Sequence, residues 1–232
     1  MFGHGVRETE VFSVVAAELL SQRWQRPVLS LNGAVPGHDS SQSRAVLREL
    51  DPALRADWVV IGSMWSDVYR DRRASLPPRV LFVRGMMREL ALYRLLRRLL
   101  SRVMSSESIR WIDDDEDITP LSPAALEAYR HNLQVMARDT SERGGCPVFL
   151  LLPAPIDFDV VAVPEAVSAH REAMRSVAAA ADAPLLDGPA LLAGEAGWRG
   201  LFLDQVHPSA TGHERLGVAL AAMLSGLGPE CD

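Results

Sequence analysis

The stretch Gly144-Gly145-Cys146-Pro147-Val148-Phe149-Leu150-Leu151-Leu152-Pro153 decides the architecture. A glycine pair ends the segment before it, and an unbroken apolar run, Val148–Leu152, follows. Such a run, with no polar alternation, fits a strand covered on both faces, as strands of parallel sheets are. Just upstream, Ser122 to Arg143 reads as a long helix, with Ser122 as N-cap and Pro123 at the first helical position. Helix, glycine break and buried strand together form the repeating unit of an α/β domain.

The same alternation extends in both directions. Thr9 to Gln25 reads as a helix with a mostly apolar face, stopped at Pro27, and Val28–Leu31 as a strand. Ser40 to Leu50 is expected to be a helix ended by Asp51-Pro52, and Trp58–Ile61 a buried strand closed by Gly62. Beyond the central run come a helix over Val163 to Ala181, a short strand at Pro184–Leu186, and a closing helix over Ala210 to Leu224. Four strands of the buried type result. An insert at about residues 77–120 interrupts the pattern. It opens at Pro77-Pro78, continues as an amphipathic, arginine-rich helix over Met86 to Met104, and ends in an acidic loop over Arg110 to Pro120. Packing of that helix on its own domain outweighs a membrane-surface role, because soluble α/β domains use such helices routinely. The acidic loop lacks the alternating spacing of a Ca²⁺ loop and reads as solvated. A single domain over residues 1–232 carrying this insert is expected.

Bulk composition narrows the function classes. The 232 residues suit one α/β domain with one core. Hydrophobic residues make up 48% and charged residues 23%, the balance of a globular chain. A net charge of −6 without a separate basic run argues against nucleic-acid binding. All 24 basic residues are arginine, a bias that no single site explains. No uninterrupted apolar stretch is long enough to span a membrane. Met1 to Glu10 carries no signal-peptide core, so the chain as written is expected in the cytoplasm. Cys146 and Cys231 do not make a disulfide framework, and Cys146 reads as a small buried residue. No metal-ligand spacing of Cys or His appears, and no cofactor is implied.

The chemistry concentrates in Leu203-Asp204-Gln205-Val206-His207-Pro208-Ser209-Ala210-Thr211-Gly212-His213. An acid three residues before a histidine, followed at once by a helix start, is a compact way to fix an imidazole. Asp204 can accept a hydrogen bond from one ring nitrogen of His207, leaving the other free to take a proton from a nucleophile. Spacing alone equally allows Asp204 to make a turn and His207 to cap the helix. His4 and His38 read as surface residues of glycine loops, and His213 as the start of the last helix.

Four blocks in order make this chain resemble the SGNH (GDSL-like) hydrolase family. Phe2-Gly3-His4-Gly5-Val6 is similar to the residues trailing the family's first block. Leu31-Asn32-Gly33-Ala34-Val35-Pro36-Gly37 is similar to the second, Val59-Val60-Ile61-Gly62 through Ser66-Asp67 to the third, and Asp204-x-x-His207-Pro208 to the last. The resemblance implies a flavodoxin-like, three-layer α/β/α fold with a five-stranded parallel sheet ordered 2-1-3-4-5. The first strand is then absent from this chain, and the strands named above are the second to fifth. It also implies His207 as general base, Asp204 as its orienting partner, and Gly37 with Ser66 as oxyanion donors. Ser66 stands where the family has asparagine. The family's nucleophilic serine falls two residues before Met1, outside the chain. Ser40, in Gly37-His38-Asp39-Ser40, superficially echoes the family's serine motif but lies in register with the second block.

The resemblance implies an ester hydrolase acting on an O-acyl or O-acetyl group of a small molecule or carbohydrate. Two alternatives stay open at this level: a catalytically inactive binding or scaffold domain, and an acyltransferase.

Overall fold

A computed structural model of the chain describes residues 3–68, 121–159 and 162–229. Helix α1 (Phe12–Trp24) is followed by α2 (Ser40–Leu54), β1 (Trp58–Ile61), α3 (Pro123–Glu142), β2 (Cys146–Leu151) and α4 (Glu165–Ala180). Strand β3 (Leu185–Asp187), the short helix α5 (Gly188–Leu192) and the closing helix α6 (Ala210–Leu227) complete the order. The three strands form one parallel sheet, β1-β2-β3, in the register Val60↔Val148 and Leu150↔Leu186. This is the α/β class with a parallel sheet that the apolar runs predict.

Local chemistry explains the element boundaries. Ser122 caps α3 as expected: its hydroxyl accepts from the Ala125 amide at 3.3 Å. Asp187 caps α5 in the same way, accepting from Ala190 at 3.0 Å. Ser209 caps α6 by accepting from Gly212. Val148, Phe149, Leu150 and Leu151 are wholly buried, so β2 is the centre of the sheet. Tyr129, Leu133 and Met136 of α3 and Val167, Met174 and Val177 of α4 pack around it. Helices α1 and α6 pack closely along each other. Gly217 permits this approach, since a Cβ there would meet the Phe12 carbonyl at 2.8 Å.

Several expectations need correction. Val28–Leu31 is not a strand: it pairs with no strand among the described residues, and Leu29 and Leu31 are 93% and 62% exposed. An apolar run becomes a strand only where a neighbour takes its backbone hydrogen bonds, and here the Val28 amide instead donates to Ser21 Oγ at 2.8 Å. The sheet therefore has three strands among the described residues, not four. Helix α2 continues past Pro52 to Leu54. The first helix begins only at Phe12, after a separate 3-10 turn over Glu8–Glu10. Cys146 is half-buried and disulfide-bonded, not a buried free thiol. The helix expected over Met86 to Met104, the acidic loop over Arg110 to Pro120, and hence the insert, lie outside the described residues. Among the described residues no helix is long and apolar enough to cross a membrane.

Candidate active site

A short connection between the 3-10 turn Trp198–Leu201 and α6 carries the acid–imidazole pair. Its two ends are stitched together. The Leu203 amide donates to the His207 carbonyl at 2.8 Å, and the Ser209 amide to the Leu201 carbonyl at 2.8 Å. Inside this loop Asp204 Oδ1 accepts from the amides of Val206 and His207, both at 2.9 Å. An aspartate that binds its own backbone two and three residues ahead fixes the turn and its own carboxylate at once.

The same carboxylate meets the His207 ring, with Nδ1 2.8 Å from Oδ1 and 2.7 Å from Oδ2. Partial burial works against the charged form of Asp204. The hydrogen bonds from the His207 ring and the Val206 amide outweigh it and hold the carboxyl below its ordinary range. An ionised carboxylate can only accept, so Nδ1 carries a proton toward it, and in the neutral ring Nε2 is then the nitrogen with the lone pair. Both side chains are partly exposed, at 37% and 43%. The spacing in the sequence thus produces the contact it suggested.

The floor under this loop is aromatic. Leu192, Leu201 and Phe202 form a small second cluster, packed by Phe158 and Trp198. Phe202 pairs with Pro208 across the base of the loop. On its outer side lies the N-terminal turn. The Val6 amide donates to the Gly3 carbonyl at 3.3 Å, and Gly3 and Gly5 both have positive φ, +83° and +78°. A Cβ on Gly5 would sit 2.7 Å from Leu203 Cδ1, so glycine lets this turn lie against the loop. His4, at the tip, places its ring 4.8 Å from that of His207, tilted by 42°.

The two expected oxyanion donors lie on separate segments. Gly37 follows Pro36 in an exposed turn closed by the His38 amide on the Val35 carbonyl at 3.1 Å, with φ +76°. Proline at the second turn position and a positive-φ glycine at the third form the type II arrangement. Ser66 lies in helical residues 65–68 just beyond the carboxyl end of β1, half-buried. Open α/β sheets place ligand sites at this rim.

Ser40 stands apart from the imidazole. Its side chain is fully buried and donates to Asp67 Oδ1 at 2.6 Å, while its amide donates to Asp67 Oδ2 at 2.9 Å. Asn132 Nδ2 donates back to Ser40 Oγ at 3.0 Å. Burial pushes the Asp67 carboxyl up, against these hydrogen bonds. Asp67 is next to Ser66 in sequence, and Ser40 follows Gly37 by one short step, so this buried contact ties one donor segment to the other. Among the described residues no serine hydroxyl binds the His207 ring.

A second buried connection steadies the rim. Arg171 of α4 pairs with Asp157 in a two-pronged ion pair, the NH2–Oδ2 contact being 2.8 Å. The same guanidinium lies 5.7 Å from the Trp65 ring centroid, beside Ser66. Sequence reading placed Asp67 in the third block but not its contact with Ser40, and it missed Arg171 and Asp157, because nothing along the chain marks partners brought together by folding. Among the described residues no group of three or more His, Cys, Asp and Glu side chains is arranged to hold a metal.

A family model described as GDSL-like Lipase/Acylhydrolase matches residues 2–215. The chain belongs to the GDSL-like lipase/acylhydrolase family. Solved structures agree with this at the level of fold. TesA superposes with a TM-score of 0.62 at 18% identity, covering 97% of this chain and 93% of its own. LAE5, an alpha/beta hydrolase enzyme from the metagenome of Lake Arreo, Spain, gives 0.62 at 16%, covering 98% and 88%. Axe2, an acetylxylan esterase from Geobacillus stearothermophilus, gives 0.62 at 16%, covering 95% and 82%. No curated protein sequence matches the chain. Family and fold together support a hydrolase-type function for this GDSL-like chain.

Proposed function

We propose that this protein is a serine ester hydrolase that removes an O-acyl or O-acetyl group from a small molecule or carbohydrate. The observation that carries the reading is the Asp204–His207 contact, with Nδ1 held by the carboxylate and Nε2 free. In this reading His207 takes the proton of a serine hydroxyl as it attacks the ester carbonyl, then returns it to the leaving alcohol. Asp204 holds the tautomer and stabilises the imidazolium. The Gly37 amide and the Ser66 hydroxyl donate to the oxyanion. A serine hydroxyl reaches less far than an asparagine amide. Loss of a well-placed donor costs ~2.7–4 kcal/mol of transition-state stabilisation, so Ser66 is a partial replacement.

The nucleophile is assigned to a segment preceding Met1, on a strand seated between Val28–Leu31 and β1. Three features favour that seat. Strand β1 pairs with β2 on one side and with no described strand on the other. Trp58, Val59 and Val60 are only half-buried, where β2 is covered. Leu29 and Leu31 present apolar side chains to solvent. The N-terminal turn also leads the right way: His4 already lies against the His207 ring, and a residue five positions upstream is at most ~17 Å from His4.

Hydrolysis of p-nitrophenyl acetate tests the reading. Residues 1–232 alone should turn over little, since oxyanion stabilisation and binding without a nucleophile retain only ~10³–10⁴-fold catalysis over water. A form extended upstream with Gly-Asp-Ser should be active and should lose that activity on His207→Ala. Robust turnover by residues 1–232 that Ser40→Ala abolishes would overturn the assignment and make Ser40 the nucleophile. Silence of every form would favour the second reading, an inactive binding domain, for which the replacement of asparagine by Ser66 already speaks.

A further inference from the structure

We propose that His4 and His207 form a two-imidazole binding site for a borderline divalent cation of the Zn²⁺ type. The two rings lie with centroids 4.8 Å apart and planes tilted by 42°. Two Zn–N bonds of ~2.0–2.1 Å at a tetrahedral angle place their nitrogens ~3.4 Å apart. From this ring separation, rotation of the exposed His4 side chain is the movement that would bring one of its nitrogens to that spacing from His207 Nε2.

The His207 half of the site is already built as a metal ligand is built. Metal-binding histidines almost always give their second ring N–H to a carboxylate or carbonyl, which fixes the tautomer and raises the basicity of the ligating nitrogen. His207 gives its Nδ1–H to Asp204 at 2.7 Å, leaving Nε2 as the metal donor. The His4 half is held by backbone: a turn closed from Val6 to Gly3, with glycine at positive φ on both sides of His4. His207 is partly open to solvent and His4 is exposed, so a hydrated ion can reach them and keep water in its remaining positions. Imidazole pairs suit Zn²⁺, Ni²⁺ and Cu²⁺ and not the hard cations that prefer oxygen.

Occupancy has a consequence that rests on the hydrolase reading: a cation on Nε2 removes the lone pair that the general base needs, so Zn²⁺ and esterase activity exclude each other. Binding itself is independent of that reading and is measured without substrate. Titration of residues 1–232 with ZnCl₂, followed by calorimetry, should show one saturable equivalent. His4→Phe keeps a ring in van der Waals contact while removing the donor nitrogen, and it should weaken binding at least tenfold. His207→Ala should do the same, and Asp204→Asn should weaken it about 10–100-fold. His131→Ala, an exposed histidine on α3, should leave it unchanged. Binding unaltered by His4→Phe, or no saturable binding at millimolar Zn²⁺, would overturn the proposal. Circular dichroism of each variant separates ligand loss from unfolding. An inactive extended form that still binds Zn²⁺ through both histidines would sink the hydrolase reading and leave the metal site standing.

Discussion

Ser40 and Asp67 hold each other by three contacts, hydroxyl to Oδ1 at 2.6 Å and amide to Oδ2 at 2.9 Å and to Oδ1 at 3.2 Å, and so join the start of α2 to the segment after β1. The carboxylate acts as an N-cap supplied from another element, satisfying an α2 amide that has no partner within its own helix. Ser40 in turn accepts from Asn132, which draws α3 into the same network. Ser40→Ala should therefore destabilise the fold by about 1–3 kcal/mol, because it strands the buried Asn132 amide and removes the shortest hydrogen bond to Asp67. Urea denaturation measures this. A change near zero would show that the network is not structural and would reopen Ser40 to a chemical role.

Arg171 should be costlier to remove. Its guanidinium and the Asp157 carboxylate are both almost fully buried, so Arg171→Leu leaves an uncompensated charge in the rim. Breaking a buried pair from one side costs about 3–5 kcal/mol. Removing both partners together, as Arg171→Leu with Asp157→Leu, should recover much of the loss. A thermal-melt cycle over the four proteins checks the coupling.

His213 predicts how stability varies with pH. It is buried against Phe12, and its Nδ1 accepts from the Phe12 amide at 3.3 Å. Burial above all lowers its pKa from 6.5 to about 4, with Glu10 opposing. The unfolded chain thus binds a proton there more readily than the folded one. The contribution is complete above about 6.5 and is lost as pH falls toward about 4. His213→Gln keeps an acceptor without a titrating ring and should flatten the curve between these limits. An unchanged pH profile of the unfolding midpoint would mean that another group governs it.

Ser66→Asn, made in the upstream-extended form, should raise kcat by up to about 10²-fold, the scale of one oxyanion donor, with little change in KM. His207→Ala in the same form should lower kcat by at least about 10²–10⁴-fold. Kinetics left unchanged by Ser66→Asn would place the second donor elsewhere on the rim.

The sequence by itself determined the class of fold and the place of the imidazole. Strand β2 was legible because a run buried on both faces needs no detail of its neighbours, only a sheet to sit in. The Asp204–His207 contact was legible because three residues of chain, turned by the aspartate itself, leave the two side chains little choice. Folding in three dimensions decided the rest. Val28–Leu31 has a strand's composition, yet a strand exists only with a partner, and the apolar pattern cannot say whether one is present. Ser40 looks like a nucleophile in one dimension and is a buried helix-start residue in three, because Asp67 and Asn132 close over it. His4 reads as a surface residue of a glycine loop and is exposed, as that reading has it. That its ring meets His207 follows only from the packing of the first turn of the chain against the loop before its last helix, a contact that local periodicity cannot encode.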